Sequence, residues 1–76
     1  MQINIGEKYI HYKTKGVYEI VSVATMQADL SSGLDMCECV IYKKENDEKL
    51  WVRPVTMFLE KVIDQDGAEV SRFELV

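Results

Sequence analysis

Two groups of side chains in this sequence have residue types and spacings that chemistry can use. The first is the pair Cys37 and Cys39, spaced C-x-C. Thiolates are nucleophiles and metal ligands. On a strand, residues two apart point to the same face, so the two sulfurs would lie side by side. Their Cα atoms would stand near the upper limit for a relaxed disulfide, which favours free thiols and a reducing compartment. A structural zinc site needs four ligands. Only His11, the one histidine, could join the pair, and there is no second pair of cysteines. No metal and no cofactor is therefore expected. A Cys–His nucleophile and base is conceivable, but nothing local marks either thiol as activated. The chain has no G-x-S-x-G, no glycine-rich phosphate loop and no H-E-x-x-H. The expectation is a protein that is not an enzyme.

The second group is aromatic and cationic. In Leu50-Trp51-Val52-Arg53, alternation puts Leu50 and Val52 on one face and Trp51 and Arg53 on the other. If the aliphatic pair is the core, an indole and a guanidinium are left outside. In Lys8-Tyr9-Ile10-His11-Tyr12-Lys13, the residues Tyr9, His11 and Lys13 share a face opposite Ile10 and Tyr12. Two ribbons thus each offer aromatic and cationic groups, a surface suited to a peptide, an acidic motif or a stacked base. The plainer reading is structural. A lone tryptophan in a thin core is usually buried for its area, with Arg53 lying over it and His11 hydrogen-bonded in place.

Strands and turns must position these residues. Lys8–Lys13 reads as a strand entering a turn at Thr14-Lys15-Gly16, and Val17–Thr25 is the strongest strand signal, long enough to bend and serve two sheets. A polar loop over Ala28–Asp35 leads to a third strand, Met36–Lys43. The charged connection Lys44–Lys49 leads to a fourth, Leu50–Arg53. Pro54 stops that strand and suits the start of a helical turn over Val55–Leu59, with Val55, Phe58 and Leu59 at i, i+3, i+4 spacing. Glu60–Ile63 and Glu69–Phe73 form a last hairpin around Asp66-Gly67. The fold class expected is all-β, a small closed or partly open barrel of about five or six short strands with one helical turn.

At 76 residues the chain is read as a single domain, 1–76, with a thin core. No apolar run approaches a membrane span and no leader pattern opens the chain, so no membrane is expected and the cytoplasm is the expected location. The net charge of −4 argues against general phosphate-backbone binding. The charge is unevenly spread. Lys8, Lys13 and Lys15 gather near the start, while Asp64, Asp66, Glu69 and Glu74 make the last part acidic.

Tyr9-x-His11-Tyr12-Lys13, Tyr18-Glu19-Ile20, Leu50-Trp51-Val52-Arg53-Pro54-x-x-Met57-Phe58 and Arg72-Phe73-Glu74 together carry a resemblance. From about Gly6 to Glu74 the chain resembles the short bacterial and phage proteins catalogued as domain of unknown function 1653. The resemblance implies an SH3-like β-barrel and no activity, since that family has no established function. The chain departs from the pattern in a longer loop between Ala24 and Tyr42, and in Ser71 where the family usually has proline. Any role of the usual loop residues is therefore open.

Alternation and resemblance together mark a face of Tyr9, His11, Lys13, Trp51, Arg53, Pro54, Phe58 and Arg72. Two functions fit it. The first is a non-catalytic binding module for a protein or peptide, since Trp51, Pro54 and Tyr12 suggest the aromatic groove that SH3 domains offer. The second is an accessory single-stranded nucleic-acid binder, with Tyr9, Tyr12 and Trp51 stacking and Lys8, Lys13, Lys15, Arg53 and Arg72 tracking phosphates.

Overall fold

The computed structural model describes residues 3–76. Seven strands form in chain order: β1 (Lys8–His11), β2 (Val17–Thr25), β3 (Glu38–Lys44), β4 (Leu50–Pro54), β5 (Lys61–Ile63), β6 (Glu69–Ser71) and β7 (Phe73–Leu75). One helical turn, α1 (Val55–Phe58), joins β4 to β5, and a 3-10 turn occupies Leu30–Ser32. The fold is all-β. A five-stranded antiparallel sheet runs β4-β3-β2-β1-β7, and β5 and β6 form a separate two-stranded sheet.

The strand ends follow local chemistry. Lys15 at φ 61 and Asn46 at φ 69 take the left-handed turn positions between β1 and β2 and between β3 and β4. In the β5–β6 turn, Gly67 has φ 81, which a Cβ would strain. There Asp64 Oδ1 accepts from the backbone N–H groups of Asp66 and Ala68, both at 2.9 Å. Pro54 ends β4 and opens α1, whose Val55 and Phe58 are buried.

The core is built mostly from rings. Tyr9, Ile20, Val40, Tyr42, Val55, Phe58 and Phe73 form one buried cluster, with Ile3, Tyr18 and Leu59 packed against it. Phe58 stacks on Phe73 at 4.2 Å between centroids, while Tyr9 and Tyr42 each meet Phe58 edge-on at 5.1 Å. Five aromatic residues do here what a larger domain would do with many aliphatics, since each ring brings a large area into a thin core.

Several expectations change. Residues 73–75 are a strand of their own. A bend at Arg72 frees them from the β5–β6 hairpin, and they pair with β1 through Tyr9↔Leu75 and His11↔Phe73. Among the described residues the strands thereby number seven, against the expected about five or six. β2 bends through a bulge between Ile20 and Ser22 but stays within one sheet. Met36, at φ 64, falls outside β3.

The face of β4 is the largest correction. Leu50 and Val52 are 57% and 58% exposed, so the aliphatic pair looks outward. Register decides this. Trp51 lies opposite Tyr42 and Arg53 opposite Val40. Directly opposed residues share a face, and Tyr42 and Val40 are core residues.

Candidate functional site

β4 is an edge strand, so its inward-facing side chains reach the rim of the core rather than its centre. Trp51 is 44% exposed there, and Arg53 is half-buried. Arg53 Nε donates to the hydroxyl of Tyr42 at 3.3 Å, and its guanidinium carbon stands 6.0 Å from the centroid of Phe73. The guanidinium is thus held by one hydrogen bond over an aromatic floor. Lys49 Nζ lies 4.3 Å from the Trp51 ring and adds a further cation to this edge.

His11 comes from the far side of the same floor. At the end of β1 its ring meets Phe73 edge-on at 5.0 Å and Tyr12 at 5.0 Å. Its Nδ1 accepts from the backbone N–H groups of Lys13 at 3.2 Å and Thr14 at 3.4 Å. In the neutral ring, the proton therefore resides on Nε2, which is left as a donor. Burial holds the imidazole below its ordinary value, and the charges of Arg72, Arg53 and Lys13 push in the same direction. Three cations converging on one neutral ring define a local positive field on an acidic protein.

Arg72 stands at the bend before β7. Its Nη2 donates to Glu60 Oε1 at 2.7 Å, and its Nε is buried without a hydrogen-bond partner. Among the described residues the ion pairs are Lys8–Glu45 and Arg72–Glu60. Arg53 and Lys13 therefore have no carboxylate partner of their own among those residues. A planar, forked donor over a ring, with a second guanidinium and an imidazole N–H nearby, is suited to a carboxylate or a phosphate oxygen.

Of the eight residues marked in the sequence, the structure gathers His11, Lys13, Arg53 and Arg72 around one floor, with Trp51 on the same face of β4. Tyr9 and Phe58 are 5% and 0% exposed and so lie beneath that surface. Tyr9 donates to Glu7 Oε1 at 3.3 Å, and burial raises its phenol, with the Glu7 carboxylate adding to the shift. Pro54 lies opposite Cys39, and alternation places it on the other face of β4 from Trp51. The expected Trp51–Pro54–Tyr12 groove is therefore divided between two faces. Tyr12 instead lines an open groove of about 410 Å³ between the β1–β2 turn and the β5–β6 hairpin. Its charged lining pairs Lys13 and Lys15 with Asp64 and Asp66, so that groove offers little net charge. Sequence reasoning left Tyr18, Tyr42 and Phe73 out of the site, although they form its floor. Their signal lay in the register of β3 and β7 with their neighbours.

The His11 geometry has a measurable consequence. With its folded pKa below the unfolded value near 6.5, the unfolded chain binds the proton first. Stability should therefore be full above that value and fall as pH drops through it toward the folded pKa. An NMR titration of the His11 ring is expected to show a midpoint below that of a model histidine, and Arg72→Met should move it upward. A midpoint at or above the ordinary value would contradict the convergence of cations on the ring.

No curated protein and no solved structure matches the chain. A family model described as "Protein of unknown function (DUF1653)" matches residues 7–75, which span the floor and every cation around it, and the chain belongs to that family.

Proposed function

We propose that this domain is a non-catalytic binding module that takes an acidic segment of a protein partner on the Trp51–Arg53–His11 face. The observation that carries the reading is Arg53, fixed by Tyr42 above Phe73 with no carboxylate partner among the described residues. A partner carboxylate supplies the missing acceptor. Charge-assisted hydrogen bonds of this kind are short and about twice as strong as neutral ones. The half-exposed indole beside it suits an apolar neighbour of the acidic residue. Two free cysteines fit a reducing, cytoplasmic setting, and the family resemblance is in keeping with a bacterial or phage source.

Single-stranded nucleic acid is the second reading, favoured by Lys49 over the Trp51 ring. The net charge of −4 opposes a polyphosphate more than it opposes one carboxylate. Chemical-shift mapping separates the two. The 15N-labelled protein is titrated with short acetylated peptides bearing Asp or Glu beside Leu, Phe or Pro, each against its Asn or Gln twin. Shifts at the Trp51 indole, Arg53 Nε and His11 with the acidic peptides alone are expected. No shift, or equal shifts with the amide twins, sinks the proposal. Larger, steeply salt-dependent shifts with mixed-sequence single-stranded DNA or RNA replace it with the second reading.

A further inference from the structure

The tip of the β2–β3 hairpin leaves an acidic, apolar surface uncovered. From Gly16 to Tyr42 the chain carries Glu19, Asp29, Asp35 and Glu38, and all nine of its lysines and arginines lie outside that stretch. Within the tip Leu30 is 86% exposed and Met36 70%, so the core takes neither side chain. Asp29, beside Leu30, is exposed too. Its carboxylate caps no backbone N–H of the 3-10 turn and joins no ion pair among the described residues. The backbone around the two residues is pinned. The Asp29 carbonyl accepts from Ser32 N–H at 3.0 Å and from the Ser32 hydroxyl at 2.6 Å. Ser32 Oγ accepts from Leu34 N–H at 3.1 Å, and Asp35 Oδ1 accepts from Ala28 N–H at 3.0 Å. A segment held in this way loses little further backbone freedom on docking.

We infer that the Trp51–Arg53–His11 face takes this tip from a second copy of the chain, an inference that rests on the acidic-segment reading above. The match is chemical at two points. The face offers Arg53 without a carboxylate of its own among the described residues, and a half-exposed indole beside it. Asp29 brings an exposed carboxylate, and Leu30 brings an aliphatic side chain without cover. Charge selects the same pairing. At a net charge of −4 two copies repel on average. Favourable electrostatics comes from setting the cation-free stretch of one copy against Arg53, Lys13 and Lys49 of the other. In the folded chain Leu30 stays exposed, so a copy's own tip does not occupy its face. Tip and face are different patches, which makes the contact heterologous. One loop on one rim buries less than a standard interface, so the complex is weak and short-lived.

The test is a dilution series of the 15N-labelled full chain from millimolar to low micromolar, followed at the Trp51 indole, Arg53 Nε and the Asp29 and Leu30 amides. Concentration-dependent shifts at both patches are expected. Arg53→Glu and Asp29→Lys should each weaken the association by about tenfold or more, as expected for loss of one charge-assisted hydrogen bond. The two variants are then mixed. Unlabelled Arg53→Glu keeps an intact tip and labelled Asp29→Lys an intact face, so adding the first to the second should reproduce the Trp51 shift of the parent. Peak dispersion checks that each variant is folded, with Arg53→Met replacing Arg53→Glu if dispersion is lost. No shift on dilution, shifts that survive Asp29→Lys, or a mixture without the Trp51 shift each overturn the inference. If the acidic peptides still shift the face, the binding reading stands with a different partner. If they do not, that reading falls as well.

Discussion

Phe58→Ala is expected to remove about 3–5 kcal/mol of stability, the usual cost of truncating a buried phenylalanine. A domain of this length holds only about 4–11 kcal/mol in total, at about 0.05–0.15 kcal/mol per residue. The variant should therefore stand near its unfolding midpoint in mild denaturant. Three geometric facts make Phe58 the site of the largest effect. It is fully buried, it stacks on Phe73 at 4.2 Å, and it meets the edges of Tyr9 and Tyr42. Rings on several sides leave little room for the cavity to collapse, which keeps the cost at the high end. Leu50→Ala is the matched control. An aliphatic residue on a strand would ordinarily be placed in the core, yet Leu50 looks outward, so its truncation should cost within about 0.5 kcal/mol. Urea unfolding followed by circular dichroism measures both. Equal losses for the two variants would mean that β4 presents its other face to the core.

Arg53→Glu is expected to abolish binding of the acidic peptides while leaving the domain folded. Losing one charge-assisted hydrogen bond costs about 1.5–3 kcal/mol, or about 10–150-fold in affinity at about 1.4 kcal/mol per tenfold. The introduced carboxylate adds repulsion to that loss. The structural cost is smaller, because Arg53 is half-buried and its hydrogen bond is to the single hydroxyl of Tyr42. Leaving that hydroxyl unpartnered should cost about 1 kcal/mol. Arg53→Met keeps the aliphatic stem over Phe73 and removes only the charge. It should unfold near the parent midpoint and still lose most of the binding. If either variant binds the acidic peptides as the parent does, the carboxylate does not dock on Arg53.

The parts of the fold set by local chemistry were legible in the residues. β2 has the bounds that its run of Val, Ile and Tyr indicates. Pro54 ends one element and begins the next. Asp66-Gly67 turns the β5–β6 hairpin with Gly67 in the conformation it alone adopts freely. The parts set by tertiary pairing were not. No glycine or proline marks the bend at Arg72, so the segment from Glu69 to Phe73 reads as one strand, whereas Phe73 opens a separate strand that pairs with β1. The inward face of β4 depends on which residues of β3 lie opposite, and within Leu50–Arg53 hydrophobicity points the other way. The candidate site was half visible for the same reason. Its cations stand out by type, whereas its floor of Tyr18, Tyr42 and Phe73 exists only once three strands are in register.

β7 carries a consequence for energetics as well as for shape. Phe73 belongs to the last strand in the chain, pairs across to β1 and forms the floor beneath Arg53 and His11. Bringing β7 to β1 closes a loop of roughly sixty residues, an entropy cost of about 3–4 kcal/mol that is recovered only when the sheet is whole. The floor beneath the proposed binding face is thus absent from any partly folded form in which β7 has come away. Ligand affinity and global stability are thermodynamically linked. An occupant at a hundred times its dissociation constant would add about 2.7 kcal/mol to the folded state. For a domain of this length, an occupant of the proposed face would add to stability on the scale of the loss expected for Phe58→Ala.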